Sequence, residues 1–384
     1  MRFEFATAGR ILFGEGTLRD VAPAASAMGR RALLVTGKST ERASALMAGL
    51  KASGLAAAPF AVAGEPTIAL IRSGAEYARG ERCDLVIALG GGSAIDCGKA
   101  LAAMLANPGD PLDYLEVIGA GRPLLHPSAA FIAIPTTAGT GSEVTRNAVL
   151  ASPDEQVKAS LRSAGMLPRL AVIDPELTYG LPRPITASTG LDALTQLIEP
   201  YVSVRANPMT DQFCVEGIRR AAVALPRVWD NGGDRAARAD MSWASLLGGL
   251  SLANAGLGAV HGFAAPIGGM FPAPHGAVCA AVLPHAMAIN VRALRQRAPE
   301  SEALRRYAEV ARLVTGNAHA MAEDGVRWIA ELCRRLEIPP LRTYGVDDSH
   351  IPLLVEKAAK ASSMKGNPIV LDSEELREIV TRAT

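Results

Sequence analysis

Residues Leu85–Lys99, LVIALGGGSAIDCGK, constrain this chain more than any other stretch. Leu85 to Leu89 are all apolar, the pattern of a strand covered on both faces. Gly90, Gly91, Gly92 and Ser93 let the backbone turn sharply and approach another group closely. Ala94 to Met104 then reads as a helix. A strand, a glycine turn and a helix start bring backbone N–H groups and the positive dipole end to one spot, which suits a phosphate. The turn is not the common dinucleotide fingerprint. Against G-x-G-x-x-G, Gly90 and Gly92 fit but Ile95 takes the third glycine position, and the strand is not the first of the chain.

Around this turn the first half of the chain alternates between strand and helix patterns. Residues 3–13 read as two short strands with a turn near Gly9, followed by FGEGTL and a helix through Ser26. Strands are expected at Ala32–Thr36, Phe60–Val62, Phe131–Ile134 and Ala171–Ile173, with helices at Ser39–Ser53 and Thr67–Arg79. Such alternation predicts an α/β domain with a mostly parallel sheet. Past about residue 180 the texture becomes helical, over Thr186–Val202, Met209–Trp229, Arg235–Ala255, Ala303–Thr315, Met321–Leu336 and Ile351–Ala358. The expected domains are therefore 1–180, α/β, and 181–384, all-α.

Residues 241–291 contain no Asp, Glu, Lys or Arg. The stretch Leu246–Gly269 is long enough to cross a bilayer but rich in Gly, Ala and Ser, so it reads as a buried helix of the protein interior. A net charge of +1 gives no electrostatic case for nucleic acid or an acidic membrane. The five cysteines (Cys83, Cys97, Cys214, Cys279, Cys333) are far apart and form no CxxC pair. This points to a reducing compartment, the cytoplasm, and away from a structural zinc cluster. The segment MRFEFATAG lacks the apolar core of a signal peptide.

Gly37-Lys38-Ser39 superficially suggests a P-loop, but Ala32 stands where that pattern needs glycine. PTTAGTGSE, residues 135–143, is a hydroxyl-rich loop after a strand, able to bond a phosphate or ribose or merely to cap the next segment. Asp192 and Gln196 share a helix face at i and i+4. Asp192 reads either as a metal or substrate ligand or as a first-turn residue facing the helix dipole. His261 and His275, each followed by Gly in the uncharged segment, are candidate ligands or satisfied core histidines; His285 is a weaker third.

Taken together, FGEGTL (13–18), GGGSAIDCGKA (90–100), IPTTAGTGSEVT (134–145), DPELT (174–178), TGLDALTQLIEPYVS (189–203), HGFAAPIGG (261–269), PHGAVCAAVLPHAMAIN (274–290) and GNP (366–368) resemble the iron-containing (group III) alcohol dehydrogenase family of the dehydroquinate-synthase-like superfamily. The resemblance implies an α/β nucleotide domain, a helical domain, an active site in the cleft between them, and a homodimer. It implies an NAD(P)-dependent oxidoreductase using Fe²⁺ or Zn²⁺ on a small carbonyl or alcohol substrate. Gly90, Gly91, Gly92 and Ser93 would hold the pyrophosphate, with Asp96 beside the cofactor. Thr136, Thr137 and Thr140 would line the adenine and ribose side, and Asn147 and Lys158 the nicotinamide end. NAD-preferring relatives often carry an Asp at the position of Gly37; its loss, beside Lys38, implies that NADP(H) is tolerated.

The family's metal ligands are one Asp and three His. The chain keeps Asp192, His261 and His275, but Gln196 replaces the second ligand, and Ala265 replaces a further frequent histidine. An amide is a weaker ligand than imidazole, though three protein ligands still hold a catalytic zinc. With metal, Asp192, Gln196, His261 and His275 are the expected set. Without it, His261 or His275 would act as general acid. Arg146 could meet a substrate carboxylate or be structural. Two other readings stay open: a metal-independent reductase of the maleylacetate reductase type, and a catalytically dead nucleotide-binding relative. A cyclase of the dehydroquinate synthase type fits the motifs less well.

Overall fold

A computed structural model describes residues 2–37 and 41–384. Lys38 and Ser39, invoked above beside Gly37, lie outside the described residues. The chain divides into two compact units. One comprises residues 6–137 and 141–178; the other comprises 1–5, 138–140 and 179–384.

The first unit contains β1 (Ile11–Phe13), α1 (Val21–Ser26), β2 (Arg31–Thr36), α2 (Glu41–Ala52), β3 (Ala56–Ala61), α3 (Ile68–Gly80), β4 (Leu85–Gly90), α4 (Gly92–Ala106), α5 (Pro111–Tyr114), β5 (Ala130–Pro135), β6 (Asn147–Ser152), β7 (Val157–Arg162) and β8 (Leu170–Ile173). Among the described residues, six strands form one parallel sheet in the order β1-β8-β5-β4-β2-β3. Every residue of β4 is buried, as its unbroken apolar run requires. Alternate side chains point to opposite faces. Leu33, Val35, Val86, Ala88 and Phe131 pack with α3 and α4, while Ala32, Leu34, Leu85, Ile87 and Ile132 pack with α1 and α2.

Two sequence expectations need correction here. Residues 3–8 form no strand. Phe5 belongs to the other unit, where its ring lies 5.8 Å from that of Phe213. And β6 and β7 form an antiparallel hairpin that the sequence reading missed. Its inward positions, Ala148, Leu150 and Ser152, are too small and mixed for a clear two-residue period.

The second unit holds α6 (Arg183–Val202), α7 (Pro208–Asp230), α8 (Arg235–Ala255), α9 (Ala259–Met270), α10 (His275–Arg297), α11 (Glu302–Thr315), α12 (Ala322–Arg335), α13 (Ile351–Lys360) and α14 (Ser373–Ala383). The expected continuous helix over Leu246–Gly269 is instead broken. Gly256, at φ 74°, ends α8, and α9 departs at 97°. A left-handed glycine is the cheap way to stop a helix and redirect the chain. The helix α10 has the length and apolarity of a membrane span, but its apolar window is 83% buried within the protein.

Candidate active site

In the first unit the site begins where β4 runs into α4. Gly90 must be glycine: a Cβ there would sit 2.5 Å from the Ala94 Cβ and 3.4 Å from the Gly37 amide nitrogen. The Gly90 carbonyl accepts from the Thr136 N–H at 2.9 Å, and Gly91 faces Thr137. The structure thus gathers Gly37, Gly90, Gly91, Gly92, Ser93, Thr136 and Thr137 at the C-terminal edge of the sheet, where ligands of parallel sheets bind. No side chain caps α4, a helix of 15 residues, so its first N–H groups are left for an anion. Thr140 falls in the other unit, where its neighbour Gly139 lies against Thr189.

Three residues assigned to the cofactor are engaged by the protein itself. The Asp96 carboxylate accepts from Ser142 Oγ and, at 3.0 Å, from the Val149 N–H. The Asn147 carbonyl accepts from Lys99 Nζ at 2.7 Å. Lys158 Nζ lies 3.2 Å from Glu65. The residue that organises this region is one the sequence reading did not select. Lys99 is fully buried and donates to the Ser142 carbonyl (2.8 Å), Thr145 Oγ1 (2.9 Å) and the Asn147 carbonyl, with Asp96 Oδ1 3.9 Å away. It ties the loop after β5 to α4. Its spacing of three from Asp96 on one helix was the available signal.

Burial pushes the Lys99 ammonium down to about 8 and the neighbouring Glu143 carboxyl up to about 7. A carboxyl raised from 4.5 to about 7 adds stability that is complete below its unfolded value and lost as pH rises through the folded one. The loss approaches roughly 3 kcal/mol. Glu143→Gln carries no such titration. Denaturant midpoints measured from about pH 5 to about pH 8 therefore shift in favour of the variant as pH rises. A constant difference would contradict this.

In the second unit α6 presents Asp192, Gln196 and Glu199 on successive turns of one face. Asp192 lies in the third turn, so it is no first-turn dipole residue. His261 comes from α9, and His275 is the first residue of α10. Gly276 packs α10 onto α6; a Cβ there would meet the Ser188 carbonyl at 2.7 Å. Asp192 Oδ1 is 3.5 Å from His261 Nε2 and 3.8 Å from His275 Nε2, and the two rings are 5.4 Å apart. A fourth group joins them that the sequence reading left among the scattered thiols. Cys279 Sγ is 3.8 Å from His261 Nε2 and 3.7 Å from His275 Nε2. Ligand atoms of Asp192, His261, His275 and Cys279 all fall within 4.8 Å of one another. His285, ten residues along α10 from His275, is not in this group.

Glu199 orients the cluster. Its Oε1 accepts from the Val260 N–H at 2.7 Å, and its Oε2 lies 2.6 Å from His261 Nδ1. Asn367 Oδ1 accepts from the Ala259 N–H at 3.1 Å, which gives the GNP motif its task. Together they cap the start of α9. The contact of Nδ1 with Glu199 sets the His261 ring so that Nε2 faces Asp192 and Cys279, where a metal ion would displace its proton. Burial alone would lower the His261 imidazolium, but Cys279 and Glu199 outweigh it and hold it well above its ordinary value. Burial alone would raise the Asp192 carboxyl, and the two imidazoles hold it below the usual carboxylate range.

Asp192 is 1% exposed, and neither of its carboxylate oxygens has a hydrogen-bond partner; nor has Gln196 Oε1. Buried oxygens without partners are costly unless something else meets them. Two imidazole nitrogens, a thiol and a carboxylate oxygen converging in one place fit a divalent transition metal. Glu199→Gln weakens the carboxylate's hold on His261. It should lower metal affinity about 10- to 100-fold in competition with a chelator. An unchanged affinity would remove Glu199 from this role.

Comparison with known proteins bears on both units. The profile of the iron-containing alcohol dehydrogenase matches residues 8–175, and that of the C-terminal domain of the Fe-containing alcohol dehydrogenase family matches 186–384. The chain is 35% identical over 367 residues to 1,3-propanediol dehydrogenase of Citrobacter freundii, covering 92% of each. It is 30% identical to the NAD-dependent methanol dehydrogenase of Bacillus methanolicus, covering 97% of each. A crystal structure of 1,3-propanediol oxidoreductase superposes with a TM-score of 0.92, at 34% identity and full coverage of both chains. The chain belongs to the iron-containing alcohol dehydrogenase family and is an oxidoreductase.

Proposed function

We propose that this chain is a metal-dependent NAD(P)-linked dehydrogenase of small alcohols, working in reverse as a reductase of aldehydes or ketones. The observation that carries the reading is the Asp192 carboxylate, buried without a hydrogen-bond partner and faced by His261 and His275. When bound, a nicotinamide gives or takes the hydride and a divalent cation polarises the substrate oxygen. The uncapped start of α4 and the Gly90–Ser93 turn hold the pyrophosphate, and Thr136 and Thr137 flank it. Asp96 and Lys99 act one step back, by fixing the loop that carries Ser142 and Thr145. Asp192, His261 and His275 hold the cation, with Cys279 Sγ as a further donor beside them and Gln196 one turn along α6 from Asp192. Glu199 keeps the His261 proton on Nδ1, so this imidazole serves as a ligand and not as the proton donor. The five cysteines are buried and unpaired, in keeping with a reducing, cytoplasmic setting, and the active form is a homodimer.

Gly37 at the end of β2 offers no carboxylate to repel a 2′-phosphate, so NADP(H) is accepted alongside NAD(H). The test pairs metal analysis of the purified protein with NADH and NADPH oxidation against aldehydes and keto acids. Near-stoichiometric metal with aldehyde turnover supports the reading. Keto-diacid turnover that survives chelation favours the metal-independent reductase, and cofactor binding without any turnover favours a dead relative. A strong preference for NADH in the Michaelis constants would sink the NADP(H) assignment.

A further inference from the structure

We infer that Cys279 supplies the fourth protein ligand of this centre and turns its preference from iron toward zinc. This rests on the metal reading above and adds to it a donor that the family's usual set of one Asp and three His lacks.

The spacing of the donors carries the argument. A tetrahedral zinc with bonds of about 2.3 Å to sulfur and about 2.0–2.1 Å to nitrogen and oxygen sets S···N at about 3.6 Å and N···O at about 3.4 Å. The chain has S···N at 3.8 and 3.7 Å and N···O at 3.5 and 3.8 Å. Octahedral right angles at the same bond lengths would bring the pairs to about 2.9–3.1 Å. All four observed separations lie on the tetrahedral side. The geometry is also built in. His275 and Cys279 are one turn apart on α10, so a single helix face delivers both. His261 is locked by Glu199 with Nε2 toward the thiol.

Gln196 is the competing fourth ligand, at the position where the family carries histidine. Its Oε1 lies beside Gly248 of α8, 3.7 Å from where a Cβ would stand. A neutral amide oxygen is also a poorer partner for a transition metal than a thiolate. A thiolate donor, in turn, favours zinc over ferrous iron, which is better served by imidazole and carboxylate.

Cobalt(II) reports on sulfur ligation directly. The intact chain is stripped by chelation and reloaded with Co²⁺, and its spectrum is recorded from the near ultraviolet to the visible. The expected result is a near-ultraviolet thiolate-to-cobalt charge-transfer band together with the visible bands of a four-coordinate ion. Cys279→Ser keeps the visible bands and loses the charge-transfer band. In anaerobic competition between Zn²⁺ and Fe²⁺, the wild-type preference for zinc falls at least about tenfold in Cys279→Ser and in Cys279→Ala. Cobalt bound by the wild-type chain with no charge-transfer band overturns the proposal while leaving the metal reading intact. No cobalt bound at all overturns the metal reading, and this inference with it. Because the decisive band is read on the wild-type protein, a variant that misfolds does not decide the question.

Discussion

Asp192→Asn abolishes metal retention and lowers kcat by about three orders of magnitude. The two effects share one cause. Asp192 is buried, and both its carboxylate oxygens lack hydrogen-bond partners. Without a cation the two imidazoles outweigh its burial and hold the carboxyl below its ordinary range, so a neutral amide there costs the stripped chain part of its stability. With a cation the same carboxylate would be the anionic ligand that anchors the proposed centre. Losing the polarisation that the centre provides removes several kcal/mol of transition-state stabilisation, which corresponds to about a thousandfold in rate. The check is metal content, kcat and thermal unfolding of the stripped proteins side by side. A variant that loses activity while its stripped form unfolds far earlier would show that Asp192 is a packing residue. A variant that keeps its metal would remove it from the ligand set.

Lys99→Met has the second largest expected effect, and it falls on stability. The Lys99 ammonium is wholly buried and satisfies two carbonyls and a hydroxyl, and Asp96 lies within ion-pair range. Removing it leaves the largely buried Asp96 carboxylate without its counter-charge and backbone oxygens without a donor. Breaking one side of such a pair costs about 3–5 kcal/mol. Asp96→Asn in the same background should recover a large part of that loss, because the uncompensated charge goes with it. Urea unfolding of the two single variants and the double variant measures the coupling. Additive losses would mean that Lys99 acts only through its backbone partners.

The parts of the fold that were legible in the sequence are those where one residue class repeats without interruption. β4 is apolar from Leu85 to Leu89, and the glycines after it admit only a tight turn, so strand, turn and helix could be placed together. The β6–β7 hairpin lacked such a signal because apolar residues stand on both its faces, with Val149 and Ala151 opposite Ala148 and Leu150. Residues 3–5 looked like a strand by composition, but a strand needs a neighbour, and Phe5 packs against Phe213 instead. The break between α8 and α9 was hidden because Gly256 and Gly258 stand among many other small residues. In the site, His261 and His275 stood out because polar groups in an uncharged segment need a reason to be there, and Asp192 because it shares a helix face with Gln196. Glu199 and Cys279 did not stand out. Glu199 looked like an ordinary helix carboxylate, and Cys279 was counted with four scattered thiols. Only the convergence of α6, α9 and α10 shows that each serves His261. Lys99 and Asp96 were three residues apart in plain view, but nothing linear reveals that a lysine is fully buried.

We propose a metal centre of Asp192, His261 and His275 on which alcohol oxidation depends. Its most direct test is reduction of NAD⁺ or NADP⁺ by a small primary alcohol, followed on the intact chain before chelation, after it, and after return of Zn²⁺ or Fe²⁺. Turnover is expected to disappear with the metal and return with it. Turnover undiminished in the metal-free protein would contradict the proposal.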